Sequence, residues 1–216
     1  MSNNIKAFIF DLDGVITDTA EYHYKSWQKL ADEEGLFFNR EINEQLRGVS
    51  RMDSLEIILD GKELAEDLKK EMTDRKNAYY QKYLEKISKE DILDDMESKL
   101  IELKEQGFKI AVASSSRNAR KVLKNLKISD LFDTISDGNS VENAKPAPDL
   151  FLHTAEKLGV EAEECVVLED AESGVDAALA ANMIAVGVGP DDRVGKAHLV
   201  YSKVAEIDFE EILEKI

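Results

Sequence analysis

The sequence predicts an α/β fold, a doubly wound Rossmann-like parallel sheet core with an inserted α-helical cap domain. Beyond residue 107, short apolar runs alternate with longer helical patterns, which implies parallel strands joined by right-handed helical crossovers. Residues 17–88, in contrast, contain helical patterns and no strand-like run. We therefore expect a core of residues 1–16 and 89–216, interrupted after its first strand by a helical cap of residues 17–88.

The first strand is predicted at residues 6–10, and it ends in two carboxylates. The continuous apolar run Ala7–Phe10 is typical of a strand buried on both faces. Asp11 and Asp13 follow two residues apart, so both leave the strand on the same side, directly before Gly14. Two carboxylates this close suit a magnesium site in which one is a nucleophile and the other a general acid/base. An acidic turn with a glycine twist is the alternative interpretation.

The cap is predicted as three helices. The first has a buried stripe that ends before Gly35 and consists of His23, Trp27, Leu30 and Ala31. A break at residues 48–51, which includes the positively charged Arg51, precedes a second helix through Leu55. The third helix is long and charged, and its expected buried stripe is Leu64, Leu68, Met72, Tyr79 and Tyr83. The connections near residues 14–19 and 84–92 would form the hinge between cap and core.

Beyond the cap, a helix is expected over residues 96–106, and the apolar runs predict the remaining strands. These runs are residues 109–113, 134–136, 166–168, 184–188 and 199–201. Because parallel strands direct their carboxyl ends to one edge of a sheet, the residues that follow them should share one crevice.

Hydroxyl groups, a lysine and a second acidic pair follow these strands. Residues 114–118, Ser-Ser-Ser-Arg-Asn, open a helix whose free N–H groups suit a phosphate. Two prolines that follow Lys145 stiffen the backbone around it, and this lysine suits a transferring phosphoryl group. Glu169 and Asp170 supply carboxylates for a cation. A polar turn, a surface lysine or a helix cap explains each group separately, but together they indicate a phosphoryl-transfer site.

Composition excludes several classes of function. The net charge of −17 argues against non-specific binding to nucleic acid or to anionic membranes. Cys165 is the only cysteine, so no internal disulfide can form, and we expect a buried structural thiol. No run approaches 18 apolar residues, and residues 1–4 do not begin a signal peptide. We expect a cytoplasmic, soluble monomer that acts on a small molecule.

The four polar sites match a known family in order and spacing. The segment Asp11-Leu-Asp13-Gly-Val, then Ser114, Lys145 and Glu169-Asp170, resemble the four motifs of the haloacid dehalogenase superfamily. The helical insertion resembles the mobile cap of that family. Four further segments resemble a branch of the family that interconverts β-D-glucose 1-phosphate and glucose 6-phosphate; they are residues 17–23, 43–55, 75–77 and 187–189.

The resemblance implies a role for each core residue. Asp11 would attack a phosphoryl group to form an aspartyl phosphate, while Asp13 exchanges a proton with the sugar hydroxyl. Ser114 and Lys145 would stabilise the equatorial oxygens of the transferring group. Mg²⁺ would be held by Asp11, the main-chain carbonyl of Asp13, Glu169 and Asp170.

The resemblance also implies a substrate site between cap and core. Arg51 would bind a second phosphate. His23 with Lys76 would couple sugar binding to cap closure and to the positioning of Asp13, although a packed histidine and a solvated lysine remain the alternative. The expected substrate-binding residues are Thr19, His23, Gly48, Val49, Arg51, Ser54, Lys76, Ser115, Ser116, Arg117 and Asn118. The family commonly has lysine at the positions of Arg47 and Arg117.

The implied reaction passes through β-glucose 1,6-bisphosphate, which serves as intermediate and activator. Two other hypotheses remain open. A sugar-phosphate phosphatase would use the same core and let water take the phosphoryl group, and a catalytically silent sensor would keep the fold for binding alone. Product analysis with β-glucose 1-phosphate separates these hypotheses.

Overall fold

The computed structural model describes residues 4–216 and contains a six-stranded, fully parallel sheet. Its strands are β1 (Ala7–Phe10), β2 (Lys109–Ala113), β3 (Thr134–Ser136), β4 (Cys165–Glu169), β5 (Ile184–Val188) and β6 (Leu199–Tyr201). The spatial order is β3-β2-β1-β4-β5-β6, in which Phe10 of β1 lies beside Val112 and Leu168. The chain winds outward in both directions from β1, so the predicted doubly wound sheet is confirmed.

Helices cover both faces of this sheet. They are α5 (Met96–Glu105), α6 (Ala119–Leu126), α7 (Asp149–Leu158), α8 (Glu172–Ala180), α9 (Asp191–Val194) and α10 (Phe209–Lys215). Side chains alternate along β1, so Phe8 and Phe10 pack with α5, α6 and α10, while Ala7 and Ile9 pack with α7 and α8. Burial on both faces explains why the strands are continuous apolar runs.

Four helices lie between β1 and α5. They are α1 (Ala20–Glu34), α2 (Arg40–Glu44), α3 (Arg51–Leu59) and α4 (Glu66–Leu84), and we call them the helical block. The block has its own apolar cluster, which includes Trp27, Leu55 and Met72. Helix α1 ends at Gly35 in the left-handed conformation, with φ 62°, as its sequence predicts. Among the described residues, no helix has the length and apolarity needed to cross a bilayer.

Of the stripe predicted for helix α4, the structure fully buries only Met72, and the other inward side chains differ from those predicted. Its buried residues are Met72, Thr73, Lys76, Tyr80 and Leu84. Tyr79 instead donates its hydroxyl to Glu33 at the surface, and Leu68 is 38% exposed. The apolar pattern is misleading because a buried lysine, Lys76, occupies the centre of the inward face.

Two adjacent connections join the helical block to the sheet. Thr17 forms isolated bridges with both Asp13 and Ile92, so the outgoing and returning segments lie side by side. The hydroxyl of Thr17 also donates to the carbonyl of Asp91 at 2.7 Å. Residues 1–3, which carry part of the prediction about the amino terminus, lie outside the described residues.

Candidate active site

A cavity of about 1120 Å³ lies between the helical block and the carboxyl ends of the central strands. Its walls contain fifteen of the predicted site residues: Asp11, Asp13, His23, Gly48, Val49, Arg51, Ser54, Lys76, Ser114, Ser115, Ser116, Arg117, Asn118, Lys145 and Asp170. Thr19 and Glu169 do not line the cavity; both are buried behind it. The structure therefore brings together groups that are up to 159 residues apart in the chain (Asp11 to Asp170).

Lys145 ties two carboxylates together at the floor of the cavity. Its Nζ donates to Asp11 Oδ1 at 2.7 Å, to Glu169 Oε1 at 2.5 Å and to the carbonyl of Ala113 at 2.9 Å. Burial alone would lower the pKa of Lys145, but the charges of Asp11 and Glu169 raise it above its ordinary value. Lys145 is therefore a fixed cation beside Asp11.

Asp11, Glu169 and Asp170 form a buried group whose carboxylate oxygens lie within 4.8 Å of one another. Burial, together with the charge of Asp11, raises the pKa of Glu169 to about 7, although Lys145 opposes the shift. Burial and the charges of Glu169 and Asp11 raise the pKa of Asp170 well above its ordinary value. Buried carboxylates that repel one another and offer hard oxygen donors fit a divalent cation such as Mg²⁺.

The turn after β1 passes directly against this acidic group. Gly14 has φ +84°, and a Cβ at this position would lie 2.4 Å from Asp170 Oδ2. A Cβ at Gly174 would lie 1.9 Å from the carboxyl carbon of Glu169. Glycine is therefore required at both positions for the backbone to approach the two acids.

Asp13 lies apart from the acidic group and has different partners. Its Oδ1 accepts hydrogen bonds from the N–H of Thr19 at 3.3 Å and from the hydroxyl of Thr19. The loss of solvent around the carboxyl raises its pKa to about 6, with a smaller contribution from Asp11 and an opposing one from Thr19. The N–H of Asp13 donates to Asp11 Oδ2 at 2.9 Å. The two acids are thus held in one turn, and Asp13 can gain and lose a proton near neutral pH.

His23 and Lys76 face each other inside the helical block. Lys76 is 2% exposed, and its Nζ lies 2.8 Å from Nδ1 of His23 and 4.8 Å from the ring centroid of Trp27. Desolvation lowers the pKa of both groups. The charge of Lys76 and then that of Arg51 lower the pKa of His23 further, and the charge of Arg51 does the same for Lys76. His23 is therefore neutral and can accept a hydrogen bond from Lys76.

Arg51 and Arg117 supply positive charge to the wall of the cavity. Desolvation lowers the pKa of Arg51, and the neighbouring charge of Arg117 lowers it further. Two guanidinium groups that repel each other are suited to hold an anion between them. Asn118, predicted as a phosphate ligand, donates to Asn77 Oδ1 at 2.9 Å and accepts from Gln81 at 3.3 Å. Its amide therefore also joins α4 to the edge of the sheet.

Polar contacts hold the loop between α2 and α3 against the sheet edge. Ser115 donates to the carbonyl of Gly48 at 2.7 Å, and Ser173 donates to the carbonyl of Arg47 at 3.3 Å. The guanidinium of Arg47 donates to Asp170 at 3.2 Å. The helical block is therefore closed over the cavity in this structure.

Sequence reasoning missed several residues of this site. They are Trp27, Arg47, Asn77, Tyr80, Gln81 and Ser173, of which Arg47 stands in the sequence analysis only as a replacement for lysine. A signal was available for the two aromatic residues, since Trp27 and Tyr80 follow His23 and Lys76 by four positions on their helices. That spacing places each pair on one helical face.

Comparison with known proteins agrees with this geometry. A family model described as haloacid dehalogenase-like hydrolase matches residues 5–182. The chain is 43% identical to a β-phosphoglucomutase of Bacillus subtilis over 98% of this chain and 95% of that protein. It is 31% identical to a phosphorylated carbohydrates phosphatase of Thermotoga maritima over 97% of each. A crystal structure of a β-phosphoglucomutase from Clostridium difficile superimposes with a TM-score of 0.94 at 46% identity, covering 98% of this chain and 96% of that one.

Proposed function

The chain belongs to the haloacid dehalogenase-like hydrolase family, and from this premise we propose that it is an enzyme that interconverts β-D-glucose 1-phosphate and glucose 6-phosphate. The supporting observation is that one cavity is lined by Asp11 and Lys145, which contact each other, and also by Arg51 and Arg117, whose charges interact. Each pair is proposed to bind one phosphate. A mutase needs both, because its intermediate has two phosphates. The similarity to β-phosphoglucomutases over nearly the whole chain supports the same activity.

We propose that Mg²⁺ is held by the carboxylates of Asp11 and Asp170 and by the backbone carbonyl of Asp13. Glu169 adds a third carboxylate, whose oxygens also accept from Lys145 and from the N–H of Ala171. When bound, the ion offsets the negative charge of the phosphoryl oxygens and of the surrounding carboxylates.

In the first half-reaction, we propose that phosphorylated Asp11 gives its phosphoryl group to the 6-hydroxyl of β-glucose 1-phosphate. The bond between the Asp11 oxygen and phosphorus breaks as the bond to the sugar oxygen forms, and Asp13 takes the hydroxyl proton. Lys145 and Ser114 bind the equatorial oxygens during transfer. The product of this step is β-glucose 1,6-bisphosphate.

In the second half-reaction, the bisphosphate turns and presents its 1-phosphate to Asp11. The Asp11 carboxylate attacks phosphorus, the bond to the sugar oxygen breaks, and Asp13 returns the proton to that oxygen. Glucose 6-phosphate leaves, and Asp11 is phosphorylated again. In both steps Arg51, with Arg117 and Ser116, holds the phosphate that does not react.

The helical block is proposed to be a cap that excludes water, with core residues 1–16 and 89–216 and cap residues 17–88. Water at Asp11 would hydrolyse the aspartyl phosphate, so a closed cap favours transfer to sugar. The contacts of Arg47 and Gly48 with the sheet edge support closure. A phosphatase remains the second candidate, because a carbohydrate phosphatase is similar to the chain over 97% of both proteins.

Product analysis tests this proposal. The purified protein is incubated with Mg²⁺, β-glucose 1-phosphate and a trace of β-glucose 1,6-bisphosphate, and glucose 6-phosphate and inorganic phosphate are both measured. We expect glucose 6-phosphate without stoichiometric inorganic phosphate. Release of phosphate and glucose in equal amounts would instead identify a phosphatase, and no turnover at all would favour a sensor.

We also propose a monomer that acts in the cytoplasm on small sugar phosphates, with no nucleic-acid or membrane partner. Light scattering of the purified protein at several concentrations checks the oligomeric state, and cell fractionation checks the location.

A further inference from the structure

Tyr80 is a buried polar residue to which the proposed reaction gives no role. It lies on α4 one turn after Lys76, and it is 1% exposed. Its hydroxyl lies 2.9 Å from the hydroxyl of Thr19, whose Oγ1 contacts Asp13 Oδ1. Three side chains, Tyr80, Thr19 and Asp13, thus form a continuous hydrogen-bonded chain that ends on the proposed acid/base.

The direction of the chain follows from the chemistry of its members. An ionised Asp13 can only accept, so the single hydroxyl proton of Thr19 points to Asp13 and Thr19 must accept from Tyr80. Burial and the charge of Asp13 raise the pKa of Tyr80 well above its ordinary value. Tyr80 therefore stays protonated, and its hydroxyl donates a hydrogen bond to Thr19. Consecutive hydrogen bonds in one direction strengthen one another in a buried site.

The ring of Tyr80 contacts a second part of the same site. Its centroid lies 4.1 Å from that of His23, and Lys76 Nζ lies 5.1 Å from it. Tyr80 and Thr19 both belong to the helical block or its entry, whereas Asp13 belongs to the turn after β1. The Tyr80 hydroxyl thus contacts the threonine that holds Asp13, while the Tyr80 ring packs against the His23–Lys76 pair.

We infer that Tyr80 is a positioning residue that acts through Thr19 to orient Asp13 for proton exchange with the sugar. The inference rests on the proposed function for the role of Asp13.

Tyr80→Phe tests the inference, because it removes one hydroxyl and leaves the ring beside His23. We expect kcat for glucose 6-phosphate formation to fall about tenfold, with KM within about twofold, since the loss concerns proton transfer rather than sugar binding. Tyr83→Phe is the matched control on the same helix, where the ring stacks on Tyr22 with centroids 5.4 Å apart. We expect this control to retain wild-type kcat.

A double-mutant comparison distinguishes positioning from a general structural effect. With Thr19→Val already present, Tyr80→Phe should cause little further loss, because the path to Asp13 is already interrupted. An equal loss from Tyr80→Phe in both backgrounds would overturn the inference. Thermal unfolding of all variants shows whether the folded state is retained.

Crystal structures of wild type and Tyr80→Phe give a readout that does not depend on activity. We expect Asp13 to leave Thr19 or to become disordered in the variant, and an unchanged Asp13–Thr19 contact would contradict the inference. A wild-type protein without mutase activity would contradict the proposed function instead, while this structural comparison would still decide the positioning role. If Tyr80→Phe does not fold, slow exchange of the Tyr80 and Thr19 hydroxyl protons in wild-type NMR spectra supports the chain, and rapid exchange opposes it.

Discussion

Lys145 shows how one residue combines a structural and a chemical role. Its ammonium group is completely buried between Asp11 and Glu169, where it offsets two negative charges that would otherwise repel each other. Such a group cannot be removed without leaving buried charge, so stability and activity at this position are linked.

Lys145→Ala should therefore affect both properties. We expect a loss of about 3–5 kcal/mol in the free energy of unfolding, because two buried carboxylates lose their partner. Phosphoryl transfer should fall at least about 100-fold, since a preorganised cation is lost. Urea denaturation and a coupled assay measure the two effects. Lys196→Ala, which removes a solvent-exposed ion pair with Glu172, is the control and should change neither; a stable, active Lys145→Ala would contradict the assignment.

Asp11→Asn should abolish both turnover and the phosphoenzyme, because an amide cannot attack phosphorus as a carboxylate does. Intact-protein mass spectrometry after incubation with a phosphoryl donor detects the aspartyl phosphate. Mutase activity that persists in a purified Asp11→Asn sample would exclude Asp11 as the nucleophile.

Arg51→Ala should separate the two proposed phosphate positions. Removal of the guanidinium should lower mutase turnover by at least about tenfold, while hydrolysis of small phosphate esters, which have one phosphate, should change much less. The ratio of the two rates is the measurement. An equal loss of both activities would exclude a role for Arg51 at the second phosphate.

Cys165 should be unreactive in the folded protein. Burial, with smaller contributions from Glu164 and Glu163, raises the pKa of its thiol to about 12. A raised thiol pKa leaves little thiolate at pH 8, and thiolate is the reactive form. A thiol reagent at pH 8 should therefore modify Cys165 only after denaturant is added. Rapid modification of the native protein would contradict the buried assignment.

At the scale of elements, the loop between α2 and α3 contacts the sheet edge through Gly48 and Arg47. Gly48 has φ +72°, and a Cβ there would lie 2.4 Å from the hydroxyl oxygen of Ser173 and 2.9 Å from Cβ of Ala171. The loop approaches the sheet edge closely enough to accept from Ser115 only because residue 48 has no side chain.

Gly48→Ala should hold the loop away from the sheet edge. We expect mutase turnover to fall about tenfold or more and the ratio of inorganic phosphate to glucose 6-phosphate to rise, because water can then reach Asp11. Gly61→Ala is the matched control, since Gly61 also has a left-handed φ of +81°, but a Cβ at that position would meet no atom within 4 Å. Similar product ratios in both variants would indicate backbone strain rather than impaired closure.

The elements differ in how far the sequence predicts them. Strands such as β1 and β4 are predicted closely because burial on both faces demands continuous apolar runs. Helix α4 is not predicted closely. Its inward face contacts the apolar cluster at one end, but at Lys76 it lines the polar site. Periodicity assigns apolar side chains to the interior, so it selects Tyr79 over Tyr80.

At the scale of the whole molecule, the parallel sheet determines the composition of the site. Its strand ends bring Asp11, Ser114 and Glu169 together, and this convergence is predictable from the order of strands alone. Contacts between the helical block and the sheet edge are not predictable in that way. Arg47 with Asp170, and Asn118 with Gln81, depend on how two separately packed units meet. The residue pattern of one helix or strand contains no information about contacts between the helical block and the sheet edge.

The net charge of −17 also acts on the whole molecule. It opposes the approach of an anionic substrate, so the local cations Arg51, Arg117 and Lys145 must outweigh a repulsive field. Moderate salt weakens that long-range field more than it weakens contacts inside the cavity.

Thr17 pairs with both Asp13 and Ile92 and thereby joins the two passes of the chain into one short ribbon. Two backbone segments that are paired side by side resist stretching and sliding past each other, so bending is their softest deformation. The helical block would then open by rotation about a single axis and not by unrestricted motion. The helical block would return to the same closed position after each product release, whichever phosphate of the bisphosphate faced Asp11 first.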